Sequence, residues 1–152
     1  MSANVHSRPF AWSNLALVII STYGLGVAIY LTFVHYASVP LACSDTGIVN
    51  CTKVVTSAFS VIPHTNVPIT VPGILFFAVS LVVAILNWRN PARLLWYRTQ
   101  AALGIAGLLV VFYLVFVELV ELKAICLWCS SVHLSILLIL SISLWRLPSA
   151  AA

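Results

Sequence analysis

Four stretches of the chain carry few polar residues: Leu15–Val34, Ile69–Trp88, Thr99–Val120 and Ile125–Trp145. Each is close to the ~20 residues that an α-helix needs to cross ~30 Å of hydrocarbon. They are apolar all round, which predicts spanning helices rather than amphipathic helices lying on a surface. The first run is too long for the apolar region of a cleaved leader, and no good small-x-small site follows it, so it is expected to remain as a span. The pattern predicts an all-α membrane protein, a four-transmembrane-helix bundle formed as one unit over residues 1–152. Tyr36–Pro68 is the long connection, about thirty residues against the usual ~4–6. Pro40, Pro63, Pro68, Gly47 and Asn50 rule out one continuous helix there. Val54, Val55, Phe59, Val61 and Ile62 make the loop apolar, so it is expected to lie on the helix ends and cap the bundle. Lys53–Ile62 is expected to form a short helix.

Composition agrees with this pattern. The chain is 62% hydrophobic and 7% charged, with mean hydropathy +1.13. A water-soluble domain carries about 25% charged residues, so the surface of this chain must largely face lipid. The formal charge of +4 is small and scattered, which excludes the basic stripe of a nucleic-acid binder.

The charges also set an orientation. Arg8 precedes the first span, Arg89, Arg93 and Arg98 lie between the second and third, and Arg146 follows the fourth. Four spans put all of these on one side and leave Lys53 and Lys123 on the other. The positive-inside rule then makes both termini cytoplasmic and the long loop extracytoplasmic. Trp12, Trp88, Trp96 and Trp145 map to the inner interface, as an aromatic belt would. Asp45, Glu118 and Glu121 map to the outer end. The two glutamates could relay protons, but they fit solvated helix ends better. Gly24, Gly26, Gly104 and Gly107 fit sites of close helix packing.

The candidate chemistry is in four cysteines, all at the outer end. Cys43 and Cys51 flank seven residues of the loop, and Cys126 and Cys129 form a Cys-Leu-Trp-Cys motif. An oxidising compartment lets disulfides form and persist, and a C-x-x-C pair often opens and closes one disulfide. A Cys43–Cys51 bridge could equally be a plain staple, worth roughly 2–3 kcal/mol in the chain-entropy account. On a helix Cys126, Cys129 and His133 share one face, and the helix N-terminus favours a thiolate. His133 could donate a hydrogen bond to an acceptor or pair with a neighbouring helix. The spacings argue against a four-thiolate zinc site, and Ser130 stands where a haem-attachment motif needs His.

The segments Cys43-Ser-Asp-Thr-Gly-Ile-Val-Asn-Cys51-Thr-Lys-Val-Val-Thr-Ser57 and Lys123-Ala-Ile-Cys126-Leu-Trp-Cys129 together resemble the vitamin K epoxide reductase family. The resemblance runs from the first helix to the fourth and is closest to the bacterial members. It implies a bundle around a quinone pocket and a relay of electrons. A partner's thiols reduce a Cys43–Cys51 disulfide, a loop cysteine exchanges with Cys126, and Cys129 delivers electrons to the quinone, ubiquinone or menaquinone. Ser57, Val55 and His133 are the positions implied to border the quinone or support the cysteines. The implied partner is a thioredoxin-like protein of the DsbA type, expected to be a separate chain because this one ends at Ala152. Two positions depart from the vertebrate members. His133 replaces a Tyr and Ile69 replaces an Asn, both of which contact the substrate carbonyls there. The departures favour quinone reduction over epoxide reduction. Alternative readings are a vertebrate-like vitamin K epoxide or quinone reductase and a non-enzymatic tetraspan protein with structural disulfides.

Overall fold

The structure, a computed structural model, describes residues 8–43, 46–91 and 93–151, with side chains over 12–43, 46–91 and 93–147. Asp45, one of the acids assigned to the outer end, lies outside the described residues. Helices α1 (Arg8–Ala37), α2 (Cys51–Val55), α3 (Thr70–Arg89), α4 (Leu94–Phe116) and α5 (Leu127–Ala151) follow in order. A 3₁₀ turn, Ala58–Ser60, lies between α2 and α3, and a π-helical turn, Val117–Leu122, extends α4. Among the described residues, four helical stretches are long and apolar enough to cross a membrane: Trp12–Ala37, Thr70–Arg89, Leu94–Leu122 and Leu127–Leu147. The protein is an integral membrane helical bundle.

The helices outrun the apolar pattern at their ends. α1 reaches back to Arg8, α4 starts at Leu94, and α5 runs on to Ala151. Arg146, expected beyond the last span, is inside α5 and buried beside Tyr97. Polar residues at a helix end can continue the backbone hydrogen-bond ladder, so hydropathy marks the hydrocarbon and not the helix terminus.

The bundle closes as a ring: α1 packs chiefly on α3 and α4 on α5, while α1–α5 and α3–α4 complete it. Leu17, Ala28, Phe77, Ala84, Val111, Ile136 and Ile139 form its core. Ile19, Phe33, Leu75, Leu109 and Phe112 point outward and are exposed, as lipid-facing side chains are. Gly24, Gly104 and Gly107 sit in the helix seams. A Cβ on Gly104 would lie 2.9 Å from the Leu140 Cβ and 3.1 Å from its Cα. Gly26 does not belong with them, because nothing lies within 4 Å of where its Cβ would be.

Polar side chains pin the ring at two depths. Ser21 and Ser80 share a hydrogen bond of 3.0 Å, and the Gln100 amide donates to Ser80 Oγ at 2.6 Å. Toward the arginine-rich end, the Tyr97 hydroxyl donates to Asn14 Oδ1 at 3.0 Å. Within a membrane such bonds between helices contribute on average ~0.6 kcal/mol each; they fix register more than they add stability.

The loop from 38 to 69 folds over the other end. Its expected helix over Lys53–Ile62 is a correction: the helix is α2, Cys51–Val55, and the 3₁₀ turn follows it. Val61 pairs instead with Pro68 in an isolated bridge, and the Ile69 N–H donates to the Ser60 carbonyl at 2.9 Å. These contacts tie the loop's second half to the start of α3.

Candidate functional site

Local geometry explains the seven-residue spacing of the loop cysteines. Thr46 and Val49 exchange two backbone hydrogen bonds, of 2.8 and 3.1 Å, around a tight reversal. Gly47 takes a φ of +60° there, which glycine reaches without steric cost. Asn50 then caps α2, its Oδ1 accepting from the Lys53 N–H at 2.7 Å. Hairpin and cap bring Cys43 and Cys51 to a Cα separation of 6.1 Å, and they are bridged as a disulfide. Cys126 and Cys129 carry free thiols.

Backbone pairing docks the loop on the second cysteine pair. Val49 and Ile125 form a parallel bridge: the Ile125 N–H donates to the Ile48 carbonyl at 2.9 Å, and the Asn50 N–H to the Ile125 carbonyl at 3.1 Å. Cys51 and Cys126 each follow directly on this pairing. Both are fully buried, in one cluster with Val54 and Ala124, against which Cys43 and Cys129 pack. Trp128, inside the C-x-x-C motif, adds a clamp. Its indole N–H donates to the Ala42 carbonyl at 2.9 Å, while the Ala42 N–H donates to the Tyr30 hydroxyl at 3.2 Å. The two rings pack with centroids 5.2 Å apart.

Cys126 differs from the expectation that it shares a helix face with Cys129 and His133. It stands just before α5 as its N-cap. Its carbonyl accepts from the Ser130 N–H at 2.8 Å, and its Sγ accepts from the Cys129 N–H at 3.3 Å. A sulfur thus occupies the position usually held by a capping oxygen, at the positive end of the helix dipole. The hydrogen bond from the Cys129 thiol holds the Cys126 thiol below the ordinary cysteine range; burial opposes this, and backbone N–H groups of Cys129 and Trp128 reinforce it.

Below the cysteines lies a cavity of about 320 Å³, open between the loop and the helices. Cys129, Ser57, Val55 and His133 all line it. His133 is buried, and the Ser57 hydroxyl donates to the Val54 carbonyl at 2.8 Å, which ties its side chain to α2. Val54 and Phe59 roof the cavity, with Phe76, Phe77, Val111 and Ile136 on its walls and Ile69 beside them. The lining is predominantly apolar, broken by a few polar side chains that include Ser57, Glu118 and His133.

Sequence reading misjudged one lining residue. Glu118, taken as a solvated helix end, is 6% exposed and lines the cavity with Cys129. Glu121 is exposed, as expected. The π-helical turn is the reason for the difference: it carries the chain past the end of α4 and folds Glu118 under the segment leading to Cys126. Its carboxylate faces the Cys126 backbone N–H. Two acids at the end of one apolar run gave no signal of which would be buried.

A membrane bundle that holds a free dithiol at the mouth of an apolar cavity, with a disulfide docked against it, defines a class of membrane thiol–disulfide oxidoreductases. The sequence model of the Vitamin K epoxide reductase family matches residues 15–144. The chain belongs to that family, whose members are quinone-linked disulfide oxidoreductases. No curated protein sequence matches the chain.

Proposed function

We propose that this protein is a thiol:quinone oxidoreductase that takes electrons from a thioredoxin-like, DsbA-type protein and passes them to a membrane quinone, sustaining disulfide formation outside the cytoplasm. The observation that carries the reading is the order of burial. Cys43 is partly exposed, Cys51 and Cys126 are buried side by side, and Cys129 opens on the apolar cavity. Three steps follow. A partner thiolate attacks Cys43 and frees Cys51. The Cys51 thiolate then attacks Sγ of Cys126 in an oxidised Cys126–Cys129 pair. Cys43 resolves that mixed disulfide once the partner has left as its own disulfide, so the loop returns to its bridged form and Cys126 and Cys129 hold two electrons. The quinone, ubiquinone or menaquinone, supplies the two-electron sink.

The chain's own residues arrange this transfer. The N-cap position favours Cys126 as a thiolate, the form in which it leaves when Cys43 resolves the mixed disulfide. His133, Ser57 and Val55 line the cavity that would hold the quinone head, and its apolar walls would exclude water. Both termini face the cytoplasm in this reading, and residues 1–152 act as one unit. The test uses the full chain in detergent, a reduced DsbA-type protein and a soluble quinone. Cys129→Ala removes quinone reduction; full activity in that variant sinks the relay. Cys43→Ala blocks turnover with the protein donor while a small permeant thiol still supports part of it, and equal loss with both donors removes the loop from the path.

A further inference from the structure

We propose that Glu118 is the proton-transfer group between Cys129 and the quinone in the cavity. The proposal rests on the thiol:quinone reading above and adds a residue that reading does not use. Among the described residues Glu118 is the one acid that is buried. A carboxylate held in an apolar site costs several kcal/mol unless it is well satisfied, and an ionisable residue inside a membrane bundle marks a functional site by default. The fold holds this one in place: its backbone carbonyl accepts from the N–H groups of both Lys123 and Ala124, the latter at 3.0 Å. Its carboxylate faces the Cys126 N–H and lies within electrostatic reach of both thiols. Such π-helical turns often occur at functional sites.

The surroundings leave few other carriers. From α5 the cavity receives Cys129 and His133, and from α1 it receives His35. α2 and α3 contribute no titratable side chain to it, and Glu121 and Lys123 are exposed. Among the described residues Glu118 is thus the acid that lines the cavity together with Cys129.

Proton balance gives it a task. Closing the Cys126–Cys129 disulfide releases two electrons, and converting a quinone to a hydroquinone takes up two electrons and two protons. Cys126 has already lost its proton to solution as a thiolate. Cys129 still holds one inside the bundle. As the S–S bond forms, the Glu118 carboxylate takes the Cys129 proton and passes it to a quinone oxygen. The second proton comes from solution and replaces the one that Cys126 released. Glu118 ends as it began.

Glu118→Gln and Glu118→Asp test this, with Glu121→Gln as an exposed control. Turnover with a reduced thioredoxin-like protein and a soluble quinone falls about 100-fold in E118Q, the scale of a lost general acid–base group. The residual rate climbs with pH as solvent base takes over, E118D recovers part of it, and E121Q matches the wild type. A second readout needs no quinone. Removing the negative charge beside the thiols shifts alkylation of Cys126 and Cys129 to lower pH in E118Q, while the partner still reduces the Cys43–Cys51 disulfide at the wild-type rate. Wild-type turnover and pH profile in E118Q overturn the proposal. If E118Q does not fold, Glu118→Ala decides: an unaltered rate and pH profile there overturn it equally. No quinone reduction by the wild type defeats the underlying reading instead, so the two failures are distinguishable.

Discussion

Gly24→Ala adds one carbon where α1 crosses α3, and the structure leaves no room for it. A Cβ at Gly24 would overlap three atoms of the Phe77 ring, which is fully buried in the core with Leu17 and Ala28. The ring must turn into the cavity it lines, or the two helices must part. Overpacking of this kind costs typically ~1–3 kcal/mol, and an overlap with several ring atoms belongs at the upper end. Alanine returns about 1 kcal/mol of helix propensity. The net loss is about 1–2 kcal/mol, which lowers the melting midpoint of a chain of this size by ~2–8 °C. Gly26→Ala, two residues on, is the internal control: it meets nothing within 4 Å and melts at or above the wild type. Thermal unfolding of both variants in one detergent, followed by circular dichroism, reads the difference. If Gly24→Ala melts with Gly26→Ala, the close α1–α3 crossing is refuted.

Two further outcomes follow from the cysteine end. In reduced protein, alkylation of Cys126 reaches its half-maximal rate below the ordinary cysteine value of ~8.5, because the Cys129 hydrogen bond stabilises its thiolate. Cys129→Ala moves the midpoint up, and a wild-type midpoint at or above ~8.5 contradicts the N-cap geometry. The same depression links to stability: the reduced fold gains above the unfolded-state pKa and loses that gain as pH falls through the lower folded value. Trp128→Phe keeps the ring and removes the indole N–H bonded to the Ala42 carbonyl. That loss is about 0.5–1.5 kcal/mol, so a small phosphine reduces the Cys43–Cys51 disulfide up to about tenfold faster; an unchanged rate shows that the clamp does not hold the loop.

The spans were legible because each apolar run outlasts the thickness of hydrocarbon it must cross. The sorting of Arg89, Arg93 and Arg98 from Lys53 and Lys123 likewise gave an expected sidedness from positions alone. The short-range geometry of the loop was less legible. A helix over Lys53–Ile62 satisfies the apolar spacing, yet Val61 pairs with Pro68 across a turn, and pairing of that kind leaves no helical periodicity. Cys126 illustrates the same limit: the i, i+3, i+7 spacing suggested a shared face, but the helix starts one residue later and makes Cys126 its cap.

Sequence by itself determined the membrane bundle, the cysteine pairs and the family pattern, because apolar length, residue spacing and motif are properties of the chain read in order. Tertiary structure alone decided which of these groups meet. The bridge from Val49 to Ile125 joins residues 76 positions apart and seats Cys51 beside Cys126. The π-helical turn buries Glu118 while Glu121 remains exposed, a distinction that two glutamates in the same short segment do not reveal. Burial and juxtaposition depend on packing between distant segments, and packing exists only once the ring of helices has closed.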